Sequence, residues 1–140
     1  MSEQENAALI QSLYDAFARK DLPFILSRLA ADVDWSVEGP SVIPYCGKRK
    51  GPAEVQGFFV ALATLETNQR LTMTTPIASG NRVACNGRYQ STVIATGKSY
   101  DTPVTHFFTV QDGKVSRMEE TMDTAQIADA FRGAASATRG

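Results

Sequence analysis

Apolar positions near the start of the chain recur at helical spacing. Ala7, Ala8, Leu9, Ile10, Leu13, Tyr14 and Phe17 fall on one face of a helix, with a capping-box pair, Ser2 and Glu5, ahead of them. Asp21 followed by Pro23 marks the start of a second, shorter helix. Phe24, Ile25, Leu26 and Leu29 form its buried face. The period then changes to two. Val33, Trp35 and Val37 alternate with Asp34, Ser36 and Glu38, which predicts a strand over 33–38. Residues 39–51, with Pro40, Pro44 and the Lys48-Arg49-Lys50 run, read as a long loop forming a flap or rim. Gly51-Pro52 opens a third helix with Val55, Phe58, Phe59, Leu62 and Leu65 as its apolar stripe.

From Gln69 onward the chain is rich in Thr, Val, Tyr and Phe. Turn signals at Ser79-Gly80-Asn81, Thr96-Gly97-Lys98 and Asp112-Gly113 divide it into strands at 69–78, 82–94, 100–110 and 114–122. Such short connections favour antiparallel hairpins. Asp123 caps a short last helix, 124–131. Helices followed by a meander define an α+β chain. The expected form is a cone-shaped, curved antiparallel sheet packed against three N-terminal helices. The short C-terminal helix closes it, and a pocket lies inside. Residues 1–132 make one domain, and a disordered Gly/Ala/Ser/Thr tail is expected at 133–140.

Composition narrows the chemistry. The chain has 140 residues, 43% of them apolar, enough for one core. With 14 basic and 15 acidic residues, its net charge of -1 offers no long-range field for nucleic acid or an anionic membrane. No apolar run reaches the roughly 18–20 residues of a membrane span, and the start lacks the pattern of a signal peptide. One His excludes a multi-His zinc site, and Cys46 and Cys85 form no CxxC pair. A cytoplasmic protein with neither metal nor cofactor is the expectation.

An ordered set of short segments resembles the SnoaL-like polyketide cyclase and ketosteroid isomerase group of the nuclear transport factor two-like superfamily. The segments are Leu13-Tyr14-Asp15-Ala16-Phe17 with Asp21-Leu22, Ala31-Asp32-Val33-Asp34-Trp35, Gly47-Lys48-Arg49-Lys50-Gly51-Pro52, and Phe58-Phe59. His106-Phe107-Phe108-Thr109-Val110 and Asp112-Gly113-Lys114-Val115, ending at Asp123-Thr124, complete the set. The resemblance spans residues 7 to 131. It implies the cone fold and a homodimer through the sheet's outer face. The fold hosts isomerases, cyclases, hydrolases and plain binding proteins.

Strand alternation and this resemblance together nominate a pocket. Val104, His106, Phe108 and Val110 are the more apolar face of their strand, and Met118, Glu120 and Met122 share the Met-bearing face of the next. On the preceding strand, Asn86, Arg88 and Gln90 oppose Cys85, Gly87 and Tyr89, and apolarity does not choose between the faces. By resemblance, His106 takes the place of an isomerase's oxyanion-binding acid and Glu120 that of a cyclase's or limonene epoxide hydrolase's catalytic aspartate. Arg88 takes that of the hydrolase arginine and Gln90 that of its second aspartate. Gln90 is not an acid, so the hydrolase set is incomplete. Near the isomerase's general base stands Val37, and Tyr14 lies one place from its tyrosine.

His106 and Glu120 sit at similar distances from the Asp112-Gly113 turn and are expected to be cross-strand neighbours. Carboxylate beside imidazole makes an acid/base pair for deprotonating carbon next to a carbonyl or for activating water. The competing reading is a satisfied buried pair with no catalysis. Arg88 is either an electrostatic aid or a solvated surface residue. Trp35, Tyr14, Tyr45, Gln90, Phe108, Met118 and Met122 are the candidate ligand-binding residues, for a small apolar or aromatic molecule. Tyr45 would gate or cover the pocket. Two functions stay open: a cofactor-free cyclase, isomerase or hydrolase using His106, Glu120 and Arg88, or a non-catalytic binding or dimerisation module.

Overall fold

The computed structural model describes residues 2–138, with side-chain surroundings for 2–132. Helix α1 (Glu3–Ala18) starts at the expected capping box: the Ser2 hydroxyl accepts from the Glu5 N–H and the Glu5 carboxylate accepts from the Ser2 N–H. Helix α2 (Leu22–Ser27) starts where the Asp21 carboxylate accepts from the Phe24 N–H. Strands β1 (Leu29–Val37) and β2 (Gly47–Lys50) precede helix α3 (Gly51–Leu65). Then come β3 (Glu66–Met73), β4 (Ile77–Ser79), β5 (Arg82–Val93), β6 (Ser99–Gln111), β7 (Lys114–Met122) and α4 (Thr124–Thr138).

The architecture is α+β, a curled, unclosed sheet with helices packed into its hollow. Strand order is β2-β1-β7-β6-β5-β3, with β4 paired to β5. One expectation fails: the sheet is mixed. β1 pairs in parallel with β7, setting Trp35 beside Met118 and Val37 beside Glu120. Local alternation shows which residues share a face but not which distant strand lies alongside. The Lys48-Arg49-Lys50 run is edge strand β2 and not loop, and β3 begins directly at the end of α3. The 69–78 run splits into β3 and β4. The last helix is longer than the 124–131 expected. The disordered tail expected at 133–140 falls on residues whose side chains, and at 139–140 whose backbone, lie outside the described residues.

Alternation places the core. β6 points Tyr100, Thr102, Val104, His106, Phe108 and Val110 inward, and all six are buried. β5 turns Val83, Cys85, Tyr89, Ser91 and Val93 the same way. Gly87 falls in this inward series by alternation, at a point where its ladder partner β3 comes too close for a side chain. A Cβ at that position would lie 2.0 Å from the Thr72 carbonyl oxygen and 2.8 Å from Met73 Cα. The loop between β1 and β2 contributes Ile43 and Tyr45 to the core at 0% and 1% exposure. Among the described residues no helix is long and apolar enough to cross a membrane.

Candidate functional site

Between the helices and the concave face lies a cavity walled by α1, α2, α3, the loop between β1 and β2, and strands β1, β3, β5, β6 and β7. The volume open to the centre of a water-sized sphere is about 70 Å³, several times the ~10–15 Å³ one water needs. Phe58, Phe59, Leu62 and Ile25 form much of the apolar wall. Trp35 from β1 packs against Phe58 and Phe59 with ring centroids 5.8 and 5.7 Å away.

Three of the polar side chains lining this cavity form one hydrogen-bonded line. His106 and Glu120 occupy directly opposed positions on β6 and β7. The hairpin register thus puts a carboxylate against an imidazole, and Glu120 Oε2 pairs with His106 Nε2. On the other side of the ring, the Tyr14 hydroxyl from α1 lies 2.8 Å from Nδ1. The Tyr14 and His106 rings stack at 5.7 Å with 16° between their planes. Both ring nitrogens are therefore engaged, which fixes the imidazole in the cavity wall.

The electrostatics orient this line. Burial, chiefly, pushes the Tyr14 phenol well above its ordinary range. Tyr14 therefore keeps its O–H at neutral pH, and with that O–H given to Nδ1 the ring's own proton would sit on Nε2, facing Glu120. Glu120 uses only Oε2 in this bond, and Oε1 makes no hydrogen bond among the described residues. Glu120 keeps 12% of its side chain exposed. One carboxylate oxygen is thus held by the histidine while its twin remains available to a ligand.

Most nominated residues are brought together: His106, Glu120, Tyr14, Trp35, Tyr45, Phe108, Met118 and Met122 all line the cavity. Arg88 and Gln90 do not. They sit on the outer face of β5, where Arg88 Nε donates to Asp101 at 2.8 Å and Gln90 Nε2 donates to the same carboxylate at 3.2 Å. The reason is parity: Cys85, Gly87 and Tyr89 face inward, so their neighbours face out. Tyr45 is a fixed wall, its main-chain carbonyl held by Arg49 Nη1 at 2.8 Å. Arg49 itself lies over the Phe58 ring at 5.4 Å, so the middle of the basic run packs inward. Asp123 caps α4 through the Gln126 N–H at 3.4 Å.

Sequence reasoning missed a second polar cluster. Glu66, at the junction of α3 and β3, is only 2% exposed. Its Oε1 accepts from the Tyr89 hydroxyl at 2.8 Å and the Ser91 hydroxyl at 2.9 Å, and its Oε2 accepts from Tyr100 at 2.6 Å. Tyr45 reaches the Tyr100 hydroxyl at 2.9 Å. The available signal was Ser91, a polar residue in the inward series of β5. Among the described residues no group of three or more His, Cys, Asp or Glu could hold a metal ion.

A curled sheet packed around an apolar cavity is the architecture of the nuclear transport factor two-like class. The chain belongs to the SnoaL-like domain family, whose model matches residues 10–118. It is similar to an NTF2-like protein of unknown function from Burkholderia pseudomallei, at 30% identity and TM-score 0.84, over 94% of this chain and 98% of that one. It is also similar to TerC, a protein co-crystallised with polyporic acid, at 27% identity and TM-score 0.82, over 91% and 98%. A candidate polyketide cyclase from Xanthomonas campestris, at 24% identity and TM-score 0.76 over 92% and 98%, shares the fold. No curated protein matches the chain.

Proposed function

We propose that the cavity is the active site of a cofactor-free acid/base enzyme of the isomerase or cyclase kind, acting on a small, largely apolar molecule. The observation that carries this reading is the Tyr14–His106–Glu120 line ending in a free carboxylate oxygen inside an apolar cavity. Glu120 Oε1 would take a proton from carbon next to a carbonyl. The electron pair of that C–H bond moves into an enolate. Where the enolate is conjugated with a C=C bond, Glu120 returns the proton at the far carbon, giving isomerisation; alternatively the enolate carbon attacks a second carbonyl, closing a ring, and the alkoxide so formed takes the proton back from Glu120. His106 and Tyr14 hold Glu120 in place throughout. The outward position of Arg88 and Gln90 removes the support for a hydrolase set.

A second reading, binding without turnover, draws on the same aromatic walls and on TerC, which was co-crystallised with polyporic acid. Deuterium exchange separates the two. With 2-tetralone, a flat bicyclic ketone, in D₂O, the wild type should incorporate deuterium beside the carbonyl faster than Glu120→Gln by about a hundredfold. Equal exchange in both proteins overturns the enzyme reading, and binding without exchange favours the second.

A further inference from the structure

The Glu66 cluster is not needed to explain the Tyr14–His106–Glu120 line, and it has a direction. As a carboxylate Glu66 can only accept, so Tyr89, Ser91 and Tyr100 each donate to it. Because Tyr100 spends its proton on Glu66, the 2.9 Å contact with Tyr45 requires Tyr45 to donate to Tyr100. Gln69 Nε2 likewise donates to the Tyr89 hydroxyl at 2.9 Å. Every proton in the cluster is drawn toward Glu66. Two of these tyrosines, Tyr45 and Tyr89, also form part of the cavity wall, whereas Glu66, Ser91 and Tyr100 do not. The cavity is therefore presented with their rings, and their O–H donors are turned away from it.

Stability alone gives a weak reason for such a carboxylate. No cation pairs with Glu66 among the described residues, and apolar replacements of buried charges are often neutral or stabilising. Resting on the reading of the cavity as a ligand pocket, we infer that Glu66 is a specificity-determining positioning residue: it withdraws the hydroxyl protons of Tyr45 and Tyr89, so that this part of the pocket accepts a hydrocarbon or aromatic edge and rejects a hydrogen-bond acceptor. The ligand class that follows is a molecule whose reacting end faces Glu120 and whose edge against Tyr45 and Tyr89 carries no hydrogen-bond acceptor.

Two isosteric probes test this by fluorescence titration: 2-naphthol, and 6-hydroxyquinoline, in which a ring C–H becomes an acceptor nitrogen. The wild type should bind 2-naphthol more tightly. In Glu66→Gln one carboxylate oxygen becomes an N–H donor, so a wall tyrosine loses its acceptor and can turn its proton toward the ligand. The preference for 2-naphthol should then fall by about fivefold, the worth of one ordinary hydrogen bond. Tyr100→Phe, which lies outside the cavity wall, removes the acceptor of Tyr45 together with one donor to Glu66, and should shift the ratio the same way. Adding Tyr45→Phe to it should restore the wild-type ratio. If Glu66→Gln does not fold, Tyr100→Phe decides alone. A folded variant that weakens both probes equally, or neither, shows a purely structural role and overturns the inference. Failure of both probes to bind the wild type overturns the pocket reading and this inference with it.

Discussion

All four tyrosines of the chain, Tyr14, Tyr45, Tyr89 and Tyr100, have phenols pushed above their ordinary range, with burial the largest cause in each case. Raising the pH should therefore unfold the protein before it ionises them. Below about pH 10 the phenol is neutral in both folded and unfolded chains, and the contribution is fully present. Above it only the unfolded chain loses protons, so stability falls as pH rises. By about pH 11 each tyrosine removes about 1.4 kcal/mol, or about 6 kcal/mol for the four, and by about pH 12 nearly twice that. A typical domain has only about 5–15 kcal/mol in total. The thiols act in the same direction, Cys46 being pushed up to about 11 by burial and Cys85 also raised by burial. An alkaline titration followed by phenolate absorbance and far-ultraviolet circular dichroism tests the reasoning. The two signals should change in one cooperative step between about pH 11 and 12. Phenolate absorbance that rises near pH 10 while the circular dichroism stays native would refute it.

Two substitutions probe the frame around the site. Gly87→Ala should destabilise by about 1–3 kcal/mol or more, because the new methyl meets the Thr72 carbonyl oxygen, which is main chain and cannot swing aside. A denaturant midpoint equal to wild type would contradict the close approach of β3 to β5 at this position. Arg88→Ala removes an exposed ion pair with Asp101, so its denaturant midpoint should stay at the wild-type value. Its affinity for 2-naphthol should equal that of the wild type, and a large loss of binding would place Arg88 in the pocket after all.

The legibility of the site followed the strength of each local signal. Counted from the Asp112-Gly113 turn alone, His106 would oppose Glu119; the irregularity between Thr109 and Val110 brings Glu120 opposite it, and the Met-bearing face of the last strand was the signal that pointed to Glu120. On β5 the two faces differ little in apolarity, and the inward glycine at 87 hides its own side. Only the close approach of β3 reveals it. The parallel pairing of β1 with β7 joins segments far apart in sequence, and nothing in either strand encodes that neighbour. Tyr45 looked like a loop residue because burial of a loop depends on the helix it packs against, here through Phe58 at 6.1 Å. Glu66 was invisible because its partners come from β5 and β6, and a single Glu after a helix reads as solvated surface.

The functional reading depends on a polarised line in which Tyr14 donates to His106 and His106 donates to Glu120. His106 is the single histidine of the chain, so a sample labelled with ¹⁵N only in histidine reports on that side chain alone. A long-range ¹H–¹⁵N correlation spectrum of the ring should show the proton on Nε2, a bare Nδ1 accepting from Tyr14, and a strongly downfield Nε2 proton that is lost in Glu120→Ala. A ring carrying its proton on Nδ1, or one whose signals are indifferent to replacement of Glu120, would contradict the arrangement on which the proposed chemistry rests.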